Sequence, residues 1–171
     1  MEKKSGNAGN ALYVVIISGI VIGIILKLFI LDILHVQGNS MEPTIKHGSS
    51  VFVNKLAYGL SVPFRGYFLF QWKEPEENDV VIYLHDNKIV VKRCVACSGT
   101  HLEFTADSDY NLILGGKKIN LTREQYLKMV QYDAVPEGYI LAIGDNYSES
   151  VDSRDYGFVS VKNVTGKIIG K

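Results

Sequence analysis

The chain has 171 residues, of which 47% are hydrophobic, and its 18 Lys and Arg residues balance 18 Asp and Glu residues for a formal net charge of +0. A chain of this length can bury a core of its own. The neutral balance provides no global field that would attract nucleic acid, so we expect no nucleic-acid partner.

The first predicted element is a membrane-spanning helix. The run Leu12–Leu31 contains one charged residue, Lys27, and twenty helical residues cover roughly the 30 Å hydrocarbon core of a bilayer. We therefore predict a transmembrane anchor over residues 11–31. A cleavable signal peptide is the alternative, but the run is long and has no small-x-small site at its end. Because Lys3 and Lys4 precede the run, the positive-inside rule places the tail, residues 1–10, in the cytoplasm. The residues after the anchor then lie on the outer side of the cytoplasmic membrane.

Residues 32–171 predict a β-rich extracytoplasmic domain. Two turns, at His85–Lys88 and Gly115–Lys117, are typical of hairpins, and a helix is predicted over Thr122–Gln131 with Thr122 as its N-cap. The predicted fold class is mostly β, an antiparallel sheet domain on a single N-terminal transmembrane helix. Eight short runs have strand character: SSVFVNKLAY, DVVIYLHDN, KIVVKRCVA, HLEFTA, NLIL, KKINL, GYILAIGD and GFVSV.

The first candidate catalytic segment is the turn Asn39–Thr44, NSMEPT. Only eight residues lead from Asp32 to Ser40, and they reach at most about 26 Å when extended, so Ser40 stays near the bilayer surface. Gly38 and Pro43 suit a sharp, rigid turn that exposes a hydroxyl and a backbone N–H. A plain turn with favourable residues is the alternative.

Lys92 is the second candidate, because a serine nucleophile needs a base. It lies in the apolar run Ile89–Ala96, where strand alternation makes it either solvent-facing or buried. If Lys92 is buried, desolvation lowers its pKa from ~10.4, and a decrease of about 3 would give a usable neutral amine. The four histidines lie in settings typical of surface residues.

The third candidate segment, Ala142–Phe158, is dense in small polar residues. One interpretation is a solvated loop held by Asp152 with Arg154. The other is a set of hydroxyls and charges that orient a base.

Taken in order, NSMEPT, DVVIY, VVKR, GDNYSESVDSR and YGFV, after an N-terminal anchor, resemble the motifs of bacterial type I signal peptidases, the Ser-Lys leader peptidases of family S26. The resemblance covers about residues 27–167 and implies a sheet of the signal-peptidase/LexA-like type. It also implies a membrane-bound serine endopeptidase that removes N-terminal signal peptides through an acyl-enzyme, without metal or cofactor. The implied substrates are secreted preproteins with an Ala-x-Ala cleavage site, delivered within membrane lipid.

The resemblance also implies a role for each site residue. Ser40 is the nucleophile, its backbone N–H stabilises the oxyanion, and Lys92 is the general base. The implied supporting residues are Asn39, a further candidate donor to the oxyanion; Met41, which shapes the site; Ser150, which positions the lysine; and Asp145, Asp152 and Arg154, which hold the site together.

Several positions depart from the family pattern. Gly38 stands where some members have a second serine, Tyr147 stands where many have arginine, and Asn78 replaces the usual glycine before Asp79. A short accessory insertion is expected at about residues 99–138. These departures leave open a specialised peptidase for a narrow substrate, such as a pilin or an exported peptide. A catalytically silent, membrane-anchored binding module is the alternative from another class, against which the presence of both Ser40 and Lys92 argues.

Two features lie outside these motifs. The aromatic segment Pro63–Trp72 is either an interfacial surface that enters the lipid headgroups or a core strand. Cys94 and Cys97 form a C-x-x-C pair that lacks the two further ligands of a zinc site. The pair is either a disulfide, which an extracytoplasmic location permits, or two separate thiols.

Overall fold

The computed structural model describes residues 5–62 and 68–170. Its helices are α1 (Ser5–Ile25), continued by a π-helical turn (Leu26–Ile30), α2 (Arg123–Met129), α3 (Ser153–Tyr156) and a 3₁₀ turn (Val161–Asn163). Its strands are β1 (Leu31–His35), β2 (Ser50–Asn54), β3 (Gly59–Ser61), β4 (Phe68–Gln71), β5 (Val80–His85), β6 (Lys88–Ala96), β7 (Glu103–Ala106), β8 (Tyr110–Leu114), β9 (Lys117–Leu121), β10 (Tyr139–Ile143), β11 (Val159–Ser160) and β12 (Val164–Gly170).

The N-terminal helix has the length and composition of a membrane span. Within the described ranges, one stretch qualifies, Asn10–Ile30, with a mean hydropathy of 2.7. The helix stops where β1 begins, at Leu31. The sequence did not indicate this strand, because its apolar residues continue the apolar run of the helix without a break.

Lys55, just after β2, fastens the end of this helix to the sheet. Its ammonium lies 2.9 Å from the Asp32 carboxylate and donates to the carbonyl of Lys27 at 3.2 Å. Its backbone N–H donates to the carbonyl of Ile30 at 2.9 Å. Carbonyls at a helix end have no partner within the helix, so Lys55 satisfies some of them and fixes the joint between helix and sheet.

An antiparallel sheet of seven strands, in the order β1-β2-β12-β5-β6-β10-β11, forms the body of the protein. The predicted fold class, mostly β and antiparallel on an N-terminal apolar helix, is confirmed. Both hairpin turns are confirmed too, since Asp86 and Asn87, and Gly115 and Gly116, take the positive φ angles that such turns require. The sequence did not indicate β12, whose Gly166 lets β2 approach closely: a Cβ there would lie 2.9 Å from the Val53 side chain.

A smaller sheet, β7-β8-β9, packs with α2 against the main sheet. The predicted helix is confirmed as α2, with a capping box between Thr122 and Gln125. The apolar side chains of this region share a core with Leu141 and Ile143 of β10. These elements fall within residues 99–138, and their status as an insertion stays a prediction.

The aromatic segment Pro63–Trp72 is described only in part, since residues 63–67 lie outside the described residues. The remainder forms β4, which pairs with β3. Leu69, Phe70 and Trp72 are more than half exposed, whereas Phe68 packs against the core, so the described part is mostly an exposed apolar surface with one residue in contact with the core.

Candidate active site

Ser40 and Lys92 line one cavity of about 350 Å³. One wall lies between Leu34 and Met41, in β1 and the chain after it. The opposite wall is Ile89–Lys92 of β6. The cavity is therefore a groove between two strands, with the serine and the lysine at the same end of both walls.

A network of backbone contacts holds the turn that carries Ser40. The N–H of Asn146 donates to the Ser40 carbonyl at 3.0 Å, and its side-chain amide donates to the Asn39 carbonyl at 3.2 Å. Gly38 has a φ of 94°, which favours glycine, and its N–H donates to the ring of His47 at 2.9 Å. The turn is thus tied directly to the segment after β10, and Met41 anchors it as a buried side chain.

Lys92 is a buried amine, because its side chain is only 4% exposed. Burial lowers its pKa below the ordinary value, with a further contribution from the charge of Arg154, while Asp152 and Asp155 oppose the decrease. The interpretation of Lys92 as a solvent-facing strand residue is therefore wrong. A buried lysine with a lowered pKa can hold a neutral amine that accepts a proton.

Asp152 and Arg154 form a buried ion pair beneath the groove. The Arg154 Nε and Nη2 atoms each lie 2.9 Å from an Asp152 carboxylate oxygen, and the two side chains are 0% and 3% exposed. Arg154 also donates to the carbonyls of Tyr147 and Ser150, and Asp152 accepts from the N–H of Gly144 at 3.0 Å. The pair therefore holds both ends of the segment from 144 to 154, of which Gly144, Ser150 and residues 152–154 are buried while residues 147–149 and 151 are exposed.

Gly144 brings Ser150 and Ser40 close together. A Cβ at Gly144 would lie under 3.0 Å from both Ser150 Oγ and the Ser40 carbonyl oxygen, so only glycine fits. Ser150 Oγ is buried, and no residue of the described ranges makes a hydrogen bond with it. A buried hydroxyl without a partner requires an explanation; here it lies beside the turn that carries the candidate nucleophile.

Substituting Gly144→Ala is expected to lower kcat/KM by about 10- to 100-fold, because the new methyl group must push Ser150 or the Ser40 turn out of place. Overpacking of this kind also costs roughly 1–3 kcal/mol of stability. Peptide-cleavage kinetics together with thermal unfolding in detergent would measure both effects. Gly170→Ala is the control, since its Cβ would meet Phe52 at an ordinary 3.8 Å. Unchanged kinetics in Gly144→Ala would contradict the expectation.

Arg93 is a site residue that the sequence reasoning did not identify. It donates to both carboxylate oxygens of Asp145, at 2.7 and 2.6 Å, and to the Asn78 carbonyl at 2.9 Å. Although burial opposes the effect, hydrogen bonds from Arg93 and Thr44 hold the pKa of Asp145 below its usual value. Adjacent residues of a strand face opposite sides, so Lys92 enters the groove while Arg93 ties β6 to Asp145. An arginine beside a lysine in an apolar strand was the available signal.

The two cysteines are close but separate. Cys94 and Cys97 are free thiols in this structure, with their Sγ atoms 3.6 Å apart. Burial raises the pKa of both thiols, most strongly that of Cys94. The alternative of a disulfide in the mature protein stays a prediction, as does the absence of a metal.

The fold and the groove together define a β-sheet protein with a cleft bounded by strands, carried on an apolar N-terminal helix. A family model described as signal peptidase, peptidase S26, matches residues 9–170. Signal peptidase I of Bacillus caldolyticus is 31% identical over 161 residues, covering 84% of this chain and 80% of that protein. Signal peptidase I of Bacillus licheniformis is 31% identical over 186 residues, covering 96% and 90%.

Among solved structures, a signal peptidase I from Enterococcus faecalis is similar, with 24% identity and a TM-score of 0.44 over 57% of this chain and 98% of that one. The match to the family model and the curated relatives decide the assignment. The chain belongs to the signal peptidase family, peptidase S26, and its class of activity is that of signal peptidase I.

Proposed function

We propose that this protein removes signal peptides from exported preproteins with a Ser40-Lys92 dyad, on the extracytoplasmic side of the cytoplasmic membrane. The observation that carries the proposal is that a buried lysine with a lowered pKa shares one groove with Ser40. A solvated lysine would be protonated at neutral pH and could not accept the serine proton.

The chemistry then follows as two half-reactions. Ser40 Oγ attacks the scissile carbonyl carbon while Lys92 Nζ accepts the hydroxyl proton. The peptide C–N bond breaks, the leaving amine takes that proton, and the signal peptide stays esterified to Ser40. Water attacks the ester with Lys92 again as the base, which releases a carboxylate and restores the hydroxyl. The Ser40 backbone N–H and Asn39 are the proposed donors to the oxyanion.

Supporting roles follow from the contacts. The unpartnered hydroxyl of Ser150 is proposed to accept from or donate to Lys92 when substrate is bound. The Asp152–Arg154 pair and the Arg93–Asp145 pair keep the segment after β10 against the two catalytic elements.

The groove suits an extended peptide. Along the described strands, β10 pairs with β6 only from Arg93 onward, so residues 88–92 of β6 are paired on one side only, with β5. β1 is the edge strand of the sheet. Both walls of the groove therefore offer free backbone groups, which can bind a preprotein segment as an added strand. The Ala-x-Ala preference is part of the proposal.

The decisive experiment is cleavage of a preprotein with an Ala-x-Ala site by the full chain reconstituted in liposomes. We expect cleavage at that site by the wild type and none by Ser40→Ala, which lacks the hydroxyl that forms the acyl-enzyme. Equal cleavage by folded Ser40→Ala would refute the dyad. Cleavage of only one narrow substrate, among several preproteins tried, would favour the specialised peptidase.

We further propose that β4 contacts the lipid interface next to the anchor. Residues Ser61 and Val62 at the end of the paired strand β3 line one cavity with Lys27 and Leu28 at the helix end, so the β3–β4 sheet lies near the membrane. Exposed Leu, Phe and Trp side chains there suit the boundary between headgroups and acyl chains.

Trp72, the one tryptophan in the sequence, reports this contact directly. In liposomes, lipids brominated near the headgroup end of the acyl chain are expected to quench its fluorescence more than lipids brominated near the chain terminus. Phe70→Ser is expected to weaken the quenching, because it removes apolar area from the same strand. A tryptophan that no brominated lipid quenches, but that aqueous iodide does, would exclude this contact.

A further inference from the structure

A second cavity, of about 450 Å³, adjoins the groove on its membrane side. Leu34 of β1 and Ile89 of β6 line both cavities, so the two share a wall on each strand. Cavities of this volume are typical of sites that bind a small molecule or a few side chains.

The order of the lining residues gives the second cavity a direction. From the end that holds Ser40 and Lys92, one wall of the groove continues through Val36 to Leu34. The other wall continues from Lys92 to Ile89. The second cavity continues both sequences, with Asp32 and Leu28 on one side and Asn87 on the other. One continuous path therefore leads from Ser40 along both strands to the end of the anchor helix.

The lining of the second cavity identifies its ligand as apolar. Its inner wall is formed by aliphatic side chains from four strands, Leu34, Val53, Ile82, Leu84 and Ile89. Three charged residues also line it, Lys27, Asp32 and Lys55. Lys55 is paired with Asp32 and with backbone carbonyls of the helix end. An anionic headgroup would have to compete with the Asp32 carboxylate for Lys55.

We propose that this cavity is a specificity subsite that binds apolar side chains of the signal peptide about four to six residues before the cleaved bond. Lys92 and Ile89 are three strand residues apart, or about 10 Å at ~3.3 Å each. A substrate extended along β6 therefore enters the second cavity with the residues that lie N-terminal to the last three before the cleaved bond. The proposal rests on the proposed function. It adds a second set of substrate residues that the protein recognises, besides the Ala-x-Ala residues that bind beside Ser40.

The test uses two peptides that share one Ala-x-Ala site and differ only at the fourth to sixth residues before the cut, Leu-Leu-Leu in one and Gly-Ser-Gly in the other. With full-length wild type in detergent, kcat/KM is about tenfold higher for the leucine peptide. Ser61→Trp, at a residue that lines the cavity, fills it and lowers this ratio to about one by slowing cleavage of the leucine peptide. Thr165→Phe, at another residue that lines the cavity, gives the same result if Ser61→Trp does not fold.

Ser108→Trp, in an exposed bend after β7, is the matched control and retains the tenfold ratio. A wild-type ratio near one, or a tenfold ratio that survives in both folded cavity-filling variants, overturns the subsite. Failure of the wild type to cleave either peptide, while folded, overturns the proposed function and the subsite with it.

Discussion

Replacing Lys92 by alanine is expected to lower kcat/KM by about a thousandfold or more, with little loss of folded protein. A positioned general base contributes roughly 10²–10⁴-fold, and Lys92 is the one lysine among the described residues that line the catalytic groove. Asp152, the carboxylate that acts most strongly on Lys92, stays paired with Arg154, so removing the amine does not leave that buried charge without a partner. Initial rates of preprotein cleavage at equal enzyme concentrations, set by absorbance, would give the ratio, and circular dichroism would show that the variant is folded.

The pH profile supplies an independent test of the same role. Lys92 must be neutral to accept a proton, so activity rises with pH and levels off above its pKa. Because burial lowers that pKa, the rise occurs at lower pH than the ~10.4 of an ordinary lysine. Lys88→Ala, an exposed position on the same strand, is expected to keep both the rate and the profile. A wild-type profile that rises only above pH 10 would exclude Lys92 as a lysine with a lowered pKa.

Breaking the buried ion pair is expected to have the largest effect on stability. Arg154→Met leaves the Asp152 carboxylate fully buried without its cation, and removing one partner of such a pair typically costs about 3–5 kcal/mol. It also leaves the carbonyls of Tyr147 and Ser150 without this donor. Urea unfolding of the full chain in a mild detergent would measure the change in free energy of unfolding.

Arg123→Met is the matched control, because Arg123 is an exposed arginine at the start of α2. We expect this change to stay within about 0.5 kcal/mol of the wild type, as is usual for surface substitutions. A loss of less than 1 kcal/mol in Arg154→Met would mean that Asp152 finds water or another cation, and the proposed bracing of the segment from 144 to 154 would then be wrong.

Local patterns predicted the hairpins, the capped helix α2 and the antiparallel β class, because each depends on residues close in sequence. β1 and β12 were missed for different reasons. The apolar residues of β1 continue those of the helix without a break. β12 contains glycines, which weaken the sequence pattern of a strand but allow close packing against β2.

Candidate site residues were recognised from short motifs, but their contacts depend on long-range pairing. The pattern placed Asp152 with Arg154 correctly, since the two are only two positions apart. It gave no partner for Asp145, because Arg93 lies 52 positions away. The burial of Lys92 could not be decided from alternation alone, since a strand has two faces and only the packed sheet determines which one meets water.

The contacts of Lys55 with Asp32 and the helix-end carbonyls affect which peptide bond of a substrate is cleaved. If the joint between the helix and the sheet were flexible, Ser40 could lie at many distances from the hydrocarbon core. The cleaved bond would then be selected by the substrate's local sequence alone. A fixed joint holds Ser40 at a constant distance from the membrane surface. On the proposed topology, the scissile bond is then the one that a signal peptide, emerging from the same bilayer, presents at that fixed height.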